Sequence, residues 1–229
     1  INRPNIIEFY DKNDQLFYTL NTDKEGEYVT FENINPYIIN SFIVIEDKDF
    51  YTHKGLDLFR ILKATAINIS HKEIKQGAST ISQQLARILY LNNEKTLIRK
   101  LKEAYLAIYL EEHYSKDKIL ELYLNGLFFG KDIYGISKAS YFFFNKDQKD
   151  LNIVESSFLA AIINSPNTYL KEEDNHSALK RKDLILKLLY KYKYLNYNEY
   201  NNALNYKLNI IKNEESLIHY NIKYYIDSV

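Results

Sequence analysis

An apolar run, Phe42-Ile43-Val44-Ile45, leads straight into two adjacent carboxylates, Glu46 and Asp47, and Phe50, His53 and Gly55 follow at short intervals. A buried segment that delivers a carboxylate to a pocket edge is one way a protein makes a general base, because an apolar wall disfavours the charged form of an acid. The same pattern also caps helices or turns to solvent, so this stretch alone leaves both readings open. Further on, Thr80, Gln84 and Arg87 stand at i, i+4 and i+7, hence on one face of a helix, while Ile81, Leu85 and Ile88 line an adjacent face suited to a core. A hydroxyl, an amide and a guanidinium beside a helix start are apt for phosphate oxygens, although an ordinary exposed stripe has the same spacing. Lys95, Arg99 and Lys100 then gather positive charge around Glu103. Arg99 and Lys100 are each a helical turn from Glu103, a spacing that equally makes surface ion pairs worth only about 0.3–0.5 kcal/mol.

Helices must position these groups. Short β-type runs at Ile6–Tyr10 and Leu16–Leu20 flank Asp11-Lys12-Asn13-Asp14, a hairpin signal. After Pro36 the periodicity is helical, with helices expected near 36–47, 56–70, 79–91, 96–113, 116–125, 132–143, 151–163 and 177–194. Ser79 and Ser115 sit where N-caps belong, and Pro166 reads as the stop of the helix before it. The stretch from Leu56 to Ile69 interleaves Leu58, Phe59, Ile61, Leu62, Ala66 and Ile67 with Arg60 and Lys63. It reads either as a core helix or as an amphipathic surface entering a membrane interface.

Bulk properties narrow the function classes. Lys+Arg and Asp+Glu both number 30 in 229 residues, so no net field recruits nucleic acid, and any cationic function must be local. There is no cysteine, hence no disulfide or thiol chemistry, which fits an extracytoplasmic site. No run approaches the roughly 20 apolar residues of a membrane span. The chain starts at Ile1 and lacks Met, which reads as an excised fragment, one from which an upstream membrane anchor could have been removed. The 22 Tyr and 12 Phe reflect partly a compositional bias shared with Ile, Asn and Lys, and are weak support for ligand binding.

The order of the motifs brings a family into view. The segment from Ile45 to Gly55 is followed by Gly77-Ala78-Ser79-Thr80 running to Gln83-Gln84-Leu85-Ala86-Arg87, then by Arg99-Lys100-Leu101-Lys102-Glu103-Ala104. Next come Ser115-Lys116-Asp117-Lys118 through Tyr123-Leu124-Asn125, Tyr134-Gly135-Ile136, and Glu155 through Ala161 to Ser165-Pro166. Over about residues 42–170 this closely resembles the peptidoglycan glycosyltransferase domain, glycosyltransferase family 51, of class A penicillin-binding proteins and monofunctional transglycosylases. The resemblance implies a mainly α fold: a lysozyme-like helical lobe, a smaller membrane-facing subdomain and a short N-terminal β element. It divides the chain into a β segment at 1–35, the glycosyltransferase domain at 36–170 and a helical linker at 171–229 towards a transpeptidase domain outside this chain.

By the same resemblance the chain polymerises lipid II into β-1,4-linked glycan strands and releases undecaprenyl pyrophosphate, on the outer face of the bacterial cytoplasmic membrane. Glu46 would be the general base on the acceptor 4-hydroxyl and Glu103 the second catalytic glutamate, near the donor pyrophosphate. Asp47, Phe50, His53, Ser79, Thr80, Gln84, Arg87, Lys95, Arg99 and Lys100 match positions that contact substrate. Partners would be lipid II, the growing glycan on undecaprenyl pyrophosphate, the membrane interface and phosphoglycolipid inhibitors of the moenomycin type. A divalent cation such as Mg or Mn is compatible with the resemblance, but no His, Asp and Glu ligand set identifies one. Two departures stand out: Ala78 replaces a usual second glycine, and Arg87 stands where the family often has lysine, trading a point charge for a fork.

Rival readings are a lytic transglycosylase or muramidase, and an inactive module that binds cell-wall precursors. Cations at Arg87, Lys95 and Lys100 argue against hydrolysis, since a neutral glycan leaving group has no need of them. Penicillin acylation is set aside: Ser115-Lys116-Asp117-Lys118 and Ser165-Pro166-Asn167 fit parts of that signature, but they read as a helix cap and a helix stop, and no Lys-Thr-Gly follows.

Overall fold

The structure is a computed structural model that describes residues 6–10, 16–21, 28–62, 79–90, 96–131, 133–171 and 176–212. It is mainly α, with β1 (Ile6–Tyr10) and β2 (Leu16–Asn21) paired antiparallel at the N-terminus, as the hairpin signal suggested. The helices are α1 (Pro36–Glu46), α2 (Ile81–Tyr90), α3 (Leu97–His113), α4 (Lys116–Gly126), α5 (Ile136–Phe144), α6 (Ile153–Ile162), α7 (Pro166–Lys171), α8 (His176–Lys191) and α9 (Tyr197–Asn205). Residues 58–62 are also helical, and the rest of the helix expected to 70 lies outside the described residues. Two compact units divide the chain: residues 1–45 with 124–229, and residues 46–123.

The first unit is centred on α6. Val154 to Ile162 are all buried, so this helix is apolar nearly all round, as a central helix must be. Asn152 starts it through a capping box: its side chain accepts from the backbone N–H of Val154 and Glu155, and Glu155 accepts in return from Asn152 N–H. Against α6 packs α8, whose Ala178, Lys182, Ile185, Leu186 and Leu189 form one buried stripe at helical spacing. Phe142 and Phe143 of α5 meet edge-on at 4.8 Å, and Phe143 meets Phe158 of α6 at 5.8 Å between ring centres. Polar ties hold the irregular segments. Asn125 accepts from Val29 N–H and donates to Val29 C=O, both at 2.9 Å, as a neighbouring strand would. Asn35 donates to the carbonyls of Lys149 and Leu151 and accepts from Tyr37 N–H.

Three local expectations need correction. Pro166 does not stop α6, which ends at Ile162; it opens α7, the first helical turn being where a missing N–H costs nothing. Thr80, not Ser79, caps α2: its hydroxyl accepts from Gln83 N–H at 3.2 Å, and Gln83 Oε1 accepts from Thr80 N–H at 3.1 Å. The core face of α2 is Ile81, Leu85, Ala86 and Leu89, with Ile88 only half-buried, so the helix is rolled from the face assumed. Ser115 does cap α4, accepting from Lys118 N–H at 3.2 Å.

In the second unit α2 packs along α3, which buries Glu103, Ala107 and Leu110 on one face. Gly55, at φ +86°, lets its loop lie against α3, where a Cβ would fall 2.8 Å from the Ala107 carbonyl oxygen.

Candidate active site

Every described candidate side chain lies within the second unit, and they fall into two groups along α2. Glu46 begins the first. It is half-buried, its backbone carbonyl accepts from Arg60 Nη1 at 2.6 Å, and its carboxylate accepts from Gln84 Nε2 at 3.0 Å. The other end of the Gln84 amide accepts from the hydroxyl of Tyr123, a fully buried residue, at 3.1 Å.

Asp47 points inward. It is buried, and its Oδ2 accepts from Ile81 N–H at the start of α2 and from His53 Nε2, both at 2.9 Å, while Arg60 lies 3.6 Å from Oδ1. A carboxylate at that helix end satisfies a free N–H and meets the positive end of the dipole. Since the carboxylate only accepts, His53 Nε2 carries the proton, and its Nδ1 faces Glu111 at 4.0 Å. Lys116 completes this scaffold: its ammonium donates to His53 C=O and to Glu111 at 2.7 Å each, and stands 4.5 Å above the Phe50 ring. Phe50 itself is fully buried, edge-on to His53. Thr80 is buried too, its hydroxyl donating to Gly55 C=O at 2.6 Å.

The second group is cationic. Glu103 is buried, with Arg99 on one carboxylate oxygen and Lys100 on the other at 2.7 Å. Lys100 also donates to Ser79 Oγ at 2.7 Å. Burial, together with the positive charges of Arg87 and Arg99, pulls the Lys100 ammonium down to a pKa of about 8 despite the carboxylate beside it. Arg87 is exposed, and no carboxylate pairs with it among the described residues. Lys95 lies outside the described residues. Two cations on one buried carboxylate leave local positive charge, which is chemistry suited to a polyanion. For a divalent ion the fit is poor: among the described residues no cluster of three His, Asp or Glu could hold one, and both oxygens of Glu103 are taken.

Sequence reasoning undervalued Arg60, Ser82, Lys116 and Tyr123. Ser82 donates to Glu111, and Arg60 ties the backbone of Glu46 to Asp47. Tyr123 stands in the motif Tyr123-Leu124-Asn125 and reads as a residue that holds helices together; its hydroxyl, invisible to hydrophobic periodicity, joins it to Gln84.

The second unit thus holds a half-buried carboxylate, Glu46 at the end of α1, tied to Gln84 of α2, and a cationic cluster on α3 in which Arg99 and Lys100 flank Glu103. The chain belongs to the transglycosylase family, whose pattern matches residues 13–190. It is 38% identical over 209 residues to penicillin-binding protein 1A of Aquifex aeolicus, covering 91% of this chain and 29% of that protein. Over 179 residues it is 41% identical to penicillin-binding protein 1F of Bacillus subtilis, covering 78% of this chain and 25% of the relative. The chain thus spans under a third of the length of these relatives. A solved penicillin-binding protein 1A from Haemophilus influenzae aligns with a TM-score of 0.47 at 17% identity, over 91% of this chain and 21% of that one, a likeness too slight to argue from.

Proposed function

We propose that this domain is a processive, inverting peptidoglycan glycosyltransferase that extends a glycan on undecaprenyl pyrophosphate with lipid II. Glu46 takes the proton from the acceptor 4-hydroxyl as that oxygen attacks C1 of the donor sugar. The C1–O bond to the phosphate breaks, and its electron pair leaves on the pyrophosphate. Developing negative charge there is met by Arg87, Arg99 and Lys100, with Lys95 expected to join them. Glu103 assists on the donor side by fixing Arg99 and Lys100 in place. Thr80 and Gln84, read from sequence as phosphate contacts, are engaged as a helix cap and as the partner of Glu46. They support the site through its framework. Asp47 and His53 do the same.

The observation that carries this reading is that two groups meet α2 from neighbouring helices: Gln84 of α2 donates to Glu46 at 3.0 Å, and Lys100 of α3, paired with Glu103, donates to Ser79 just ahead of α2 at 2.7 Å. A base beside an anion site suits displacement of pyrophosphate. A lytic transglycosylase or muramidase would use one glutamate on the same fold, but it cleaves a neutral polymer and has no need of a cationic cluster such as Arg99 and Lys100.

The lipid-linked substrates would be met at a membrane interface. Leu58, Phe59 and Leu62 are 67%, 79% and 70% exposed, and Leu97, Ile98, Leu101 and Tyr105 give α3 a second, outward apolar face. A shallow hollow of about 430 Å³ there is lined by Ile98, Leu101, Lys102, Tyr105 and Leu106. No helix among the described residues is long and apolar enough to cross a membrane. An upstream anchor, a following transpeptidase domain and a place on the outer face of the cytoplasmic membrane complete the proposal.

Glu46→Gln tests the assignment. Polymerisation of labelled lipid II should fall by about 100-fold or more while a moenomycin-type phosphoglycolipid still binds. Near-normal polymerisation by the variant would remove Glu46 from the role of base.

A further inference from the structure

We propose that Tyr123 is a positioning residue for the reaction, acting on Glu46 through Gln84; the proposal rests on Glu46 being the base. A glutamine amide has two ends of nearly equal size and opposite polarity. Towards a carboxylate only the NH2 end is favourable, because a carboxylate accepts and cannot donate. The Gln84 amide meets Glu46 with Nε2 at 3.0 Å, which leaves Oε1 to receive the Tyr123 hydroxyl at 3.1 Å. Tyr123 is fully buried on α4, so its ring cannot swing away, and its O–H offers Oε1 a proton from a fixed direction. Without that donor the flipped amide, with its oxygen against the carboxylate, is no longer penalised at the far end. The carboxylate still rejects that flip, but the amide, held at one end alone, is free to swing and tilt, and Glu46 then loses a donor of fixed direction. Arg60 donates to the backbone carbonyl of Glu46 and Gln84 to its carboxylate, so the two hold different parts of the residue.

This separates the roles on α2. Gln84, which spacing groups with phosphate contacts, works at the base end, and its loss should be felt in the chemical step. Misplacement of a reacting group by about 1 Å can cost about 100-fold, so partial disorder of Glu46 is expected to cost about tenfold.

The test is steady-state polymerisation of lipid II by Tyr123→Phe, Gln84→Met and the double variant, with thermal unfolding and phosphoglycolipid binding measured on each. The expected result is a kcat lowered by about tenfold in Tyr123→Phe with KM and inhibitor affinity within about twofold. The double variant should be no slower than Gln84→Met alone, because both changes cut one chain of contacts. A merely structural tyrosine would give losses that multiply, and that result overturns the proposal, as does an unchanged kcat in Tyr123→Phe. Should Tyr123→Phe not fold, Gln84→Met decides: a raised KM with normal kcat returns Gln84 to substrate binding and overturns the proposal. Glu46→Gln run alongside keeps the two ideas apart. If it stays active the base assignment fails, whereas an inactive Glu46→Gln beside a fully active Tyr123→Phe sinks the positioning role alone.

Discussion

Lys100 carries the clearest pH dependence at the scale of single residues. Burial and the charges of Arg87 and Arg99 bring its pKa to about 8. The protonated form is the one that can hold phosphate, so kcat/KM for lipid II should fall as pH rises through about 8 in the free enzyme. A bound pyrophosphate favours the ammonium, and the corresponding limb of kcat should therefore lie higher. Lys100→Arg keeps its charge throughout this range and should abolish the limb, even if its planar fork fits less well. An unchanged alkaline limb in that variant would show that another group sets it. At this scale the grouping of Arg99 and Lys100 around Glu103 was legible in sequence from helical spacing, whereas type and spacing alone left the roles of Glu46 and Arg87 open. The inward turn of Asp47 and the tie from Tyr123 to Gln84 were not legible, because each joins residues more than 30 positions apart.

Among the elements, the pattern of apolar positions placed α1 to α6 and α8 to within a few residues, since most have one face that must be buried and α6 is buried nearly all round. Where it erred, a local competition decided. Ser79 and Thr80 are both capping residues, and Gln83, three after Thr80, completes the box that selects between them. Helix α9 was missed because Tyr and Asn crowd it and only Ala203 is buried, yet Asn196 and Glu199 announce its start as a capping box. Two variants test the supports. Asn152→Ala removes the acceptor for two N–H groups at the head of α6 and should cost about 1 kcal/mol in thermal or denaturant unfolding. Gly55→Ala places a methyl against the backbone of α3 at a left-handed φ and should cost about 1–3 kcal/mol. It should also lower activity, since the Gly55 carbonyl holds the cap of α2. A Gly55→Ala protein with wild-type stability would mean that the loop does not need this close approach.

For the whole molecule, the balance of charge and apolar surface matters most. With 30 basic and 30 acidic residues there is no net attraction to an anionic bilayer, so the proposed membrane contact falls to the exposed Leu58, Phe59, Leu62, Leu97, Ile98 and Leu101. Vesicle binding should then be insensitive to salt. Phe59→Asp with Leu101→Asp should weaken it by about tenfold or more, since each buried side chain of this kind is worth roughly 1.5–3 kcal/mol. Binding that instead collapses between low and moderate salt would assign the contact to local basic patches.

The central claim, that this transglycosylase-family chain builds glycan and does not cleave it, is tested most directly by one experiment. Labelled lipid II in detergent is incubated with the protein, purified glycan strands are incubated in parallel, and both sets of products are resolved by size. A ladder of lengthening glycans with the strands left intact is the predicted result. Shortened strands with no ladder from lipid II would contradict the account.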